Sequence, residues 1–305
     1  FRECFYIVPD YQREYVWKEK QVTQLLEDIN EQMGDSSSIH FIGTILVSPT
    51  IGGKENCFDV IDGQQRLITI FLILCALRAL SEDDKRKDHI GKLIEDNTPD
   101  NEGNLNTQFR ILPSYEDTDK LIGKIAQSEE PFRSIRSKIE SSGSPQTDSV
   151  TNILNAYEII FKFLKDNYDC ETKLKKYFGH LSKNVIFIQI STDISSALKV
   201  FETINERGVG LNPMDLLKNL LFSKVKGEEF EELKTEWKKI TSPLEGNKEK
   251  PLRFLRYFLM ANYNTESKQK DGIIREDGIY DWFLDKDNIQ STGYQDKPLR
   301  FVEKI

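Results

Sequence analysis

Residues 58–67 read Phe-Asp-Val-Ile-Asp-Gly-Gln-Gln-Arg-Leu and carry the clearest structural signal in the 305-residue chain. Cys57 to Ile61 is rich in β-forming residues and is predicted to be a strand. The residues that follow Arg66, as far as Leu80, are apolar on nearly every face of a helix, which is typical of a buried central helix. The stretch therefore predicts a strand, a tight turn at Gly63 and a buried helix.

The turn and the start of this helix carry residues that suit an anion. A helix N-terminus presents free N–H groups and a partial positive charge. Gly63 lets a ligand approach the main chain, and Arg66 adds a planar donor fork suited to phosphate. Gln64 and Gln65 can donate or orient a water, and Asp62 can hold a metal ion or act as a base. In the other interpretation, equally weighted, Asp62 only caps the helix and Arg66 pairs with an acid.

A second segment near the start of the chain interleaves aromatic and polar residues. Such a mixture suits a stacked base or a phosphate contact. It also suits an aromatic cluster that anchors the first helix. The anchoring role is favoured for Tyr15 and Trp17. Both roles stay open for Gln12 and Arg13. The segment contains Tyr11, Gln12 and Arg13, followed by the two favoured anchors, Tyr15 and Trp17.

A third segment, 201–211, reads Phe-Glu-Thr-Ile-Asn-Glu-Arg-Gly-Val-Gly-Leu. Asn205 can simply end a helix, and Asp215 can simply cap the next one. Arg207 and Lys218 can reach a phosphate. Taken singly, each of these residues is better explained by a structural role.

Hydrophobic periodicity predicts the remaining elements. Val185 to Ile190 is the strongest predicted strand, and its two apolar faces predict a central position in the sheet. The polar stretches 81–107 and 128–149 indicate surface insertions, the second a mobile loop. Further strands are predicted at 41–47 and 108–112, and helices at 18–33, 115–126, 150–164, 165–181, 194–205, 213–225, 228–240, 252–262 and 278–284.

Composition excludes several classes of protein. The formal net charge of −8 argues against a uniformly basic nucleic-acid wrapper. The four cysteines form no C-x-x-C pair, which argues against a zinc ribbon and favours a reducing cytoplasm. The sequence lacks a P-loop, a G-x-S-x-G elbow and an H-E-x-x-H motif. Its three scattered histidines argue against a histidine-dependent metal nuclease.

The sequence contains no segment that predicts a signal peptide or a membrane span. The first residues lack a starting methionine and an apolar core, so the chain is expected to begin inside a longer cytoplasmic protein. The most apolar run, 67–80, is too short to span a bilayer and contains Arg78. No membrane partner is expected.

Taken in order, the three segments resemble the N-terminal domain of GmrSD-type, modification-dependent restriction enzymes. The resemblance rests on Y-Q-R-x-Y-x-W at 11–17, D-G-Q-Q-R-L at 62–67 and F-x-x-I-N-x-R-G-x-x-L at 201–211, with Gly43 in a strand and D-L-L-K-N at 215–219. It covers roughly the first 226 residues. The three blocks together are quite specific, and any one of them alone is weak.

The resemblance implies an α+β fold of the ParB/sulfiredoxin-like type, with a small mixed sheet flanked by helices. Residues 1–226 would form this NTP-binding domain, with a mostly helical insertion at about 113–181. Residues 227–305 would form a helical region that is incomplete. The family binds and hydrolyses NTP to control the cleavage of modified foreign DNA, in defence against phage.

The resemblance also assigns roles to residues. Asp62 would align water or hold Mg²⁺ beside the bound NTP. Other polar residues would close the pocket from two sides. The catalytic set would be Asp62, Gln64, Gln65 and Arg66, and the nucleotide-binding set Gln12, Arg13, Gly63, Arg66, Asn205 and Arg207, with Tyr11, Tyr15 and Trp17 as aromatics that line the pocket or contact nucleic acid.

Cleavage in this family typically resides in a C-terminal HNH-type nuclease domain. No such cluster of His and Asn or Asp occurs here, so either the nuclease lies on a missing domain or a separate subunit, or this relative lacks it. The expected partners are NTP, DNA that carries modifications and this nuclease. Two other interpretations stay open: a DNA-binding module without catalysis, and an interaction scaffold that docks a partner through the helices after residue 227.

Overall fold

The structure is a computed structural model. It describes residues 2–9, 14–31, 33, 39–50, 56–99, 102–114, 118–127, 136–137, 147–192, 213–222, 224–225, 228–246, 249–263, 274–276 and 278–305. The chain divides into two compact units, Phe1–Asp193 and Ile194–Ile305. The domain boundary predicted from the sequence follows residue 226, whereas this division follows residue 193.

The first unit contains strands and helices, and the described part of the second unit is helical. The strands are β1 (Phe5–Val8), β2 (His40–Pro49), β3 (Cys57–Asp62), β4 (Glu95–Pro99), β5 (Leu105–Phe109), β6 (Ile111–Pro113) and β7 (Val185–Ser191). The helices of the first unit are α1 (Glu19–Glu31), α2 (Gln64–Leu80), α3 (Asp84–Ile94), α4 (Thr118–Gln127), α5 (Asp148–Asn167) and α6 (Glu171–Lys183). Those of the second are α7 (Pro213–Phe222), α8 (Glu228–Gly246), α9 (Pro251–Asn262), α10 (Ile279–Leu284), α11 (Lys286–Thr292) and α12 (Pro298–Lys304).

Five strands form one mixed sheet in the order β6-β1-β3-β2-β7. β1 runs parallel to β3 and β6, whereas β2 runs antiparallel to β3 and parallel to β7. Strands β4 and β5 form a separate antiparallel hairpin. The expected combination of a mixed sheet with flanking helices is therefore present.

Helix α2 lies at the centre of the first unit. Every residue from Leu67 to Leu77 is buried, and the helix packs against α3 and α5. The predicted buried helix is thus confirmed. None of the described helices combines the length and the apolar character needed to cross a bilayer.

Strand β7 is an edge strand within the described sheet, so the prediction of a central position is wrong. Its side chains alternate between the two faces of the sheet. Val185 and Phe187 pack against the core, whereas Ile186 and Ile188 are 40% and 51% exposed. Both faces of β7 carry apolar residues, but only the face with Val185 and Phe187 is packed against the core.

The stretch 81–107 is more ordered than the sequence suggested. It forms α3 and the β4–β5 hairpin. The strand β4 reads Glu-Asp-Asn-Thr-Pro, which has little intrinsic preference for a strand, and polar cross-strand pairs such as Thr107 Oγ1 to Asn97 Oδ1 at 2.7 Å support it. The predicted helix at 194–205 lies outside the described residues, as does most of the predicted loop at 128–149.

Candidate functional site

The predicted strand–turn–helix junction is present at Asp62 to Arg66. β3 ends at Asp62, Gly63 adopts a left-handed conformation with φ 88° and ψ 5°, and α2 begins at the next residue. A Cβ at Gly63 would lie 2.7 Å from Ile45 Cγ2 and 3.1 Å from Thr44 O. Both the dihedral angle and the contact with β2 therefore require glycine.

The start of α2 is not capped by a side chain, because the residue at its N-cap is Gly63. The first-turn N–H groups of a helix have no partner within the helix, and the helix dipole adds positive charge there. Gln64 is buried in this turn. The main-chain N–H groups that the sequence predicts for an anion therefore lie at this turn.

Two acidic residues of β3 have raised pKa values. Burial raises the pKa of Asp62, although the N–H of Gly63 and the charge of Arg66 oppose this shift. Burial also raises the pKa of Asp59, which accepts a hydrogen bond from Thr50 Oγ1 at 2.8 Å. No group of three or more metal-ligating side chains occurs among the described residues. A metal ion at Asp62 would therefore have fewer than three such side chains as ligands among the described residues.

Arg66 is bound to the main chain of β2. Its Nη1 donates to Ile42 O and its Nη2 to Thr44 O, each at 2.9 Å. Between these carbonyls lies Gly43, at the point where the pairing of β2 with β7 shifts register. The two interpretations of the sequence gave Arg66 either a phosphate or an acidic side chain as its partner. The observed partners are two carbonyls at a β-bulge, and the phosphate contact stays a prediction.

The cavity next to Arg66 is too small for a nucleotide. It measures about 10 Å³, whereas ligand pockets typically measure about 300–1,000 Å³. It is therefore excluded as a nucleotide site. Its lining residues are Ile42, Ile45, Arg66, Leu67, Ile70 and Phe187.

Gln65 links the start of α2 to the segment Glu14–Trp17, which we name the strap. Its Oε1 accepts from the N–H groups of Val16 at 2.9 Å and Trp17 at 3.3 Å, and its Nε2 donates to Glu14 O at 3.0 Å. All three bonds go to main-chain groups. The amide predicted to orient a water is therefore already engaged by the strap.

Helix α5 holds the strap from another side. The N–H of Tyr15 donates to Ser149 Oγ at 3.3 Å, and its carbonyl accepts from Asn152 Nδ2 at 3.2 Å. The Tyr15 side chain is completely buried, with its hydroxyl 2.8 Å from Thr69 Oγ1, so it cannot stack on a ligand. Trp17 is partly buried against the same core. Of the two roles considered for these aromatics, the anchor is the one observed.

Two polar residues of the site, Ser149 and Asn152, were missed by sequence reasoning. Both lie in the first turns of α5, more than 130 positions from Tyr15, which they bind. No local pattern in the sequence indicates such a contact. Five predicted residues, Tyr11, Gln12, Arg13, Asn205 and Arg207, lie outside the described residues and stay predictions.

A family model described as the N-terminal domain of GmrSD restriction endonuclease matches residues 2–222. The chain belongs to this family. Membership makes it a component of a restriction system of the phage-defence type. The match includes the strap and the β3–α2 junction. No curated protein matches the chain.

Proposed function

We propose that this GmrSD-family chain is a regulatory domain that binds and hydrolyses NTP in a system that restricts modified DNA. The observation that carries the proposal is the left-handed Gly63 between β3 and α2, which places a carboxylate beside the uncapped start of a 17-residue helix. We assign the fold to the ParB/sulfiredoxin-like type. The mixed sheet and the helix that directly follows β3 support this assignment.

The phosphates would bind at the first turn of α2. Gly63 has no side chain to block the approach, and the main-chain N–H groups of this turn can donate to phosphate oxygens. A guanidinium has five N–H groups, so Arg66 retains donors beyond its two bonds to β2. Its positive charge is also fixed in place by those bonds. Arg66 would thus hold the frame of the site and stabilise negative charge within it.

Hydrolysis would depend on positioning and on charge, as phosphoryl transfer generally does. Asp62 would accept a hydrogen bond or a proton from the attacking water, and Gln64 would help to orient that water. Mg²⁺ is commonly held by one or two carboxylates together with substrate phosphates, so a single Asp62 fits it, and the ion would neutralise phosphate charge.

Other predicted residues would close the pocket. Gln12 and Arg13 directly precede the strap in the sequence, and Gln65 binds the strap, so these two residues are assigned to one side of the nucleotide. Asn205 and Arg207 are assigned to the nucleotide-binding set by the third motif alone. These assignments rest on the family motifs quoted above.

Phosphate release from GTP, ATP, CTP and UTP, measured with Mg²⁺, tests the proposal. Asp62→Asn is expected to lower turnover by about 100-fold or more, as the loss of a general base does. Asp59→Asn is a matched control, since Asp59 lies on the same strand and also has a raised pKa. Equal turnover by the two variants contradicts the role of Asp62.

A second function, contact with DNA, is favoured by α9. Tyr257 is 50% exposed, and the guanidinium carbons of Arg253 and Arg256 lie 5.8 and 5.9 Å from its ring centroid. An exposed ring flanked by cations suits a stacked base and nearby phosphates. Tyr257→Ala is expected to weaken single-strand binding by about 10-fold, as loss of one stack of about 1–3 kcal/mol predicts. Fluorescence anisotropy across a salt series measures this, and unchanged binding excludes the contact.

A further inference from the structure

Strand β7 is an edge strand that lacks the features by which proteins prevent edge pairing. Edges are commonly kept short or carry charged residues or proline. The opposite edge of the described sheet follows this rule, because β6 has 3 residues and ends at Pro113. β7 has 7 residues, and none of them is charged or a proline. Its edge is therefore suited to pairing with another strand.

The outer face of the sheet next to this edge is apolar and exposed. Ile186 and Ile188 of β7 are 40% and 51% exposed, and Phe41, which pairs with Ile186, is 51% exposed. Ile39 extends the surface and is 68% exposed. We name these four side chains the apolar face. Contiguous exposed surfaces of this kind commonly mark an interaction site.

The hydrogen bonds of β7 show which residues turn their main-chain groups toward the outer edge of the described sheet. At one end, Asn184 O accepts from His40 N–H at 2.7 Å, and at the other, Thr192 N–H donates to Val47 O at 3.1 Å. Even-numbered residues thus turn their main-chain groups toward β2. Because these groups alternate between the two sides of a strand, odd-numbered residues such as Val185 and Ser191 turn theirs outward.

We propose that β7 pairs antiparallel with β7 of a second copy of this chain, about a two-fold axis at Ile188. The strand reads Val-Ile-Phe-Ile-Gln-Ile-Ser, with isoleucine at positions symmetric about its centre. In this register Ile188 lies opposite Ile188 of the second copy, and Ile186 lies opposite Ile190. A two-fold interface requires such self-complementarity.

The register agrees with the direction of the main-chain groups. Val185 lies opposite Ser191 of the second copy, and both turn outward, so they can exchange N–H···O bonds. The isoleucines then occupy positions without main-chain bonds, where the Cα atoms approach to about 4.5 Å and side chains are closest. No charged residue lies on β7, so no like charges oppose each other.

The surface available agrees with a reversible dimer. A standard interface buries about 800 Å² on each partner. Pairing along the edge of β7 covers the main-chain groups of that edge and brings together the isoleucine side chains beside the axis, whereas Phe41 and Ile39 stay on the outer face of the joined sheet. One pair of seven-residue strands is smaller than a standard interface, so the dimer is expected to dissociate on dilution.

Sedimentation velocity of the 305-residue chain over a wide concentration series tests the dimer. The parent is expected to self-associate, and Ile188→Lys is expected to stay monomeric, because it places two like charges against each other across the axis. Leu105→Lys is the matched control, since Leu105 is an exposed apolar residue of β5 and its replacement should not affect association. A parent that is monomeric throughout, or an Ile188→Lys variant that associates like the parent, overturns the proposal.

Disulfide crosslinking tests the register separately and does not depend on the charged variant. In a Cys170→Ser background, Ile188→Cys is expected to form a crosslinked dimer, because Cα atoms about 4.5 Å apart fall within the disulfide range. Ile186→Cys is expected not to crosslink, because its counterpart in the register is Ile190. Crosslinking through Ile186→Cys, or none through Ile188→Cys, overturns the register.

Discussion

The guanidinium of Arg66 lies against Gly43, with one nitrogen bound to the carbonyl of Ile42 and another to the carbonyl of Thr44, both at 2.9 Å. Gly43 has φ 115°, and a Cβ there would lie 1.6 Å from Nη1 of the arginine. The position of the arginine therefore requires glycine at residue 43, and the two hydrogen bonds link α2 to β2.

This relationship predicts non-additive stabilities. Gly43→Ala is expected to lower the free energy of unfolding by about 2–4 kcal/mol, from the left-handed φ and the overlap with Arg66. Arg66→Ala is expected to cost a similar amount, about 2–4 kcal/mol, because two carbonyls lose their donors. In the double variant the overlap is absent, so its loss should be smaller than the sum. Urea denaturation measures all three, and additivity within about 0.5 kcal/mol contradicts the contact.

Replacement of Gly63 by alanine is expected to lower the free energy of unfolding more than the same replacement of Gly103, which serves as the control. The two residues have nearly the same φ, 88° and 84°, but a Cβ at Gly103 would meet no atom within 4 Å. In each Ala variant the left-handed conformation is expected to lower the free energy of unfolding by about 1–2 kcal/mol. Gly63→Ala should lose about 1–3 kcal/mol more, because its Cβ would overlap Ile45. Equal losses in thermal or urea unfolding would show that β2 does not constrain the turn.

The bonds of Gln65 to the strap predict that Gln65→Glu destabilises the protein. The carboxylate keeps the acceptor for Val16 and Trp17 but replaces the donor to Glu14 O with a second acceptor. The expected loss is about 1–3 kcal/mol in the free energy of unfolding, measured through Trp emission. Gln290→Glu, at an exposed position of α11, is the control and should stay within about 0.5 kcal/mol of the parent. If both variants match the parent, the strap is not held by this amide.

The raised pKa of Asp62 predicts a pH dependence of stability. Its carboxyl binds a proton more tightly in the folded chain than in the unfolded chain, where the pKa is near 3.8. The contribution of Asp62 to the free energy of unfolding should therefore fall as pH rises from 3.8 through the folded-state pKa, and stay lower above it. Asp62→Asn removes this loss. Its stability relative to the parent should rise over the same interval in urea denaturation, and a difference that does not change with pH contradicts the shift.

The junction could be predicted from the sequence because its determinants are local. Gly63 marks the turn, and the continuous apolar run after Arg66 marks a buried helix. Both signals lie within one short stretch, so no long-range information is needed. The same holds for α1, whose buried residues recur at helical spacing.

Other parts could not be predicted because they depend on contacts between distant residues. The carbonyls that bind Arg66 belong to the main chain of β2. Every residue type has such a carbonyl, so the sequence does not indicate which ones accept these bonds. Ser149 and Asn152 meet Tyr15 only once α5 has packed. The alternation of β7 predicts a strand but does not say whether another element covers its second face.

The proposed function requires that NTP binds at the β3–α2 junction. Calorimetric titration of the chain with GTP, ATP, CTP and UTP in the presence of Mg²⁺ measures this binding, with Asp62→Asn and Asp59→Asn titrated beside the parent. We expect saturable binding of at least one nucleotide, at least about 10-fold weaker in Asp62→Asn, which corresponds to about 1.4 kcal/mol, and unchanged in Asp59→Asn. If none of the four nucleotides binds, or if Asp62→Asn binds as tightly as the parent, the claim is contradicted.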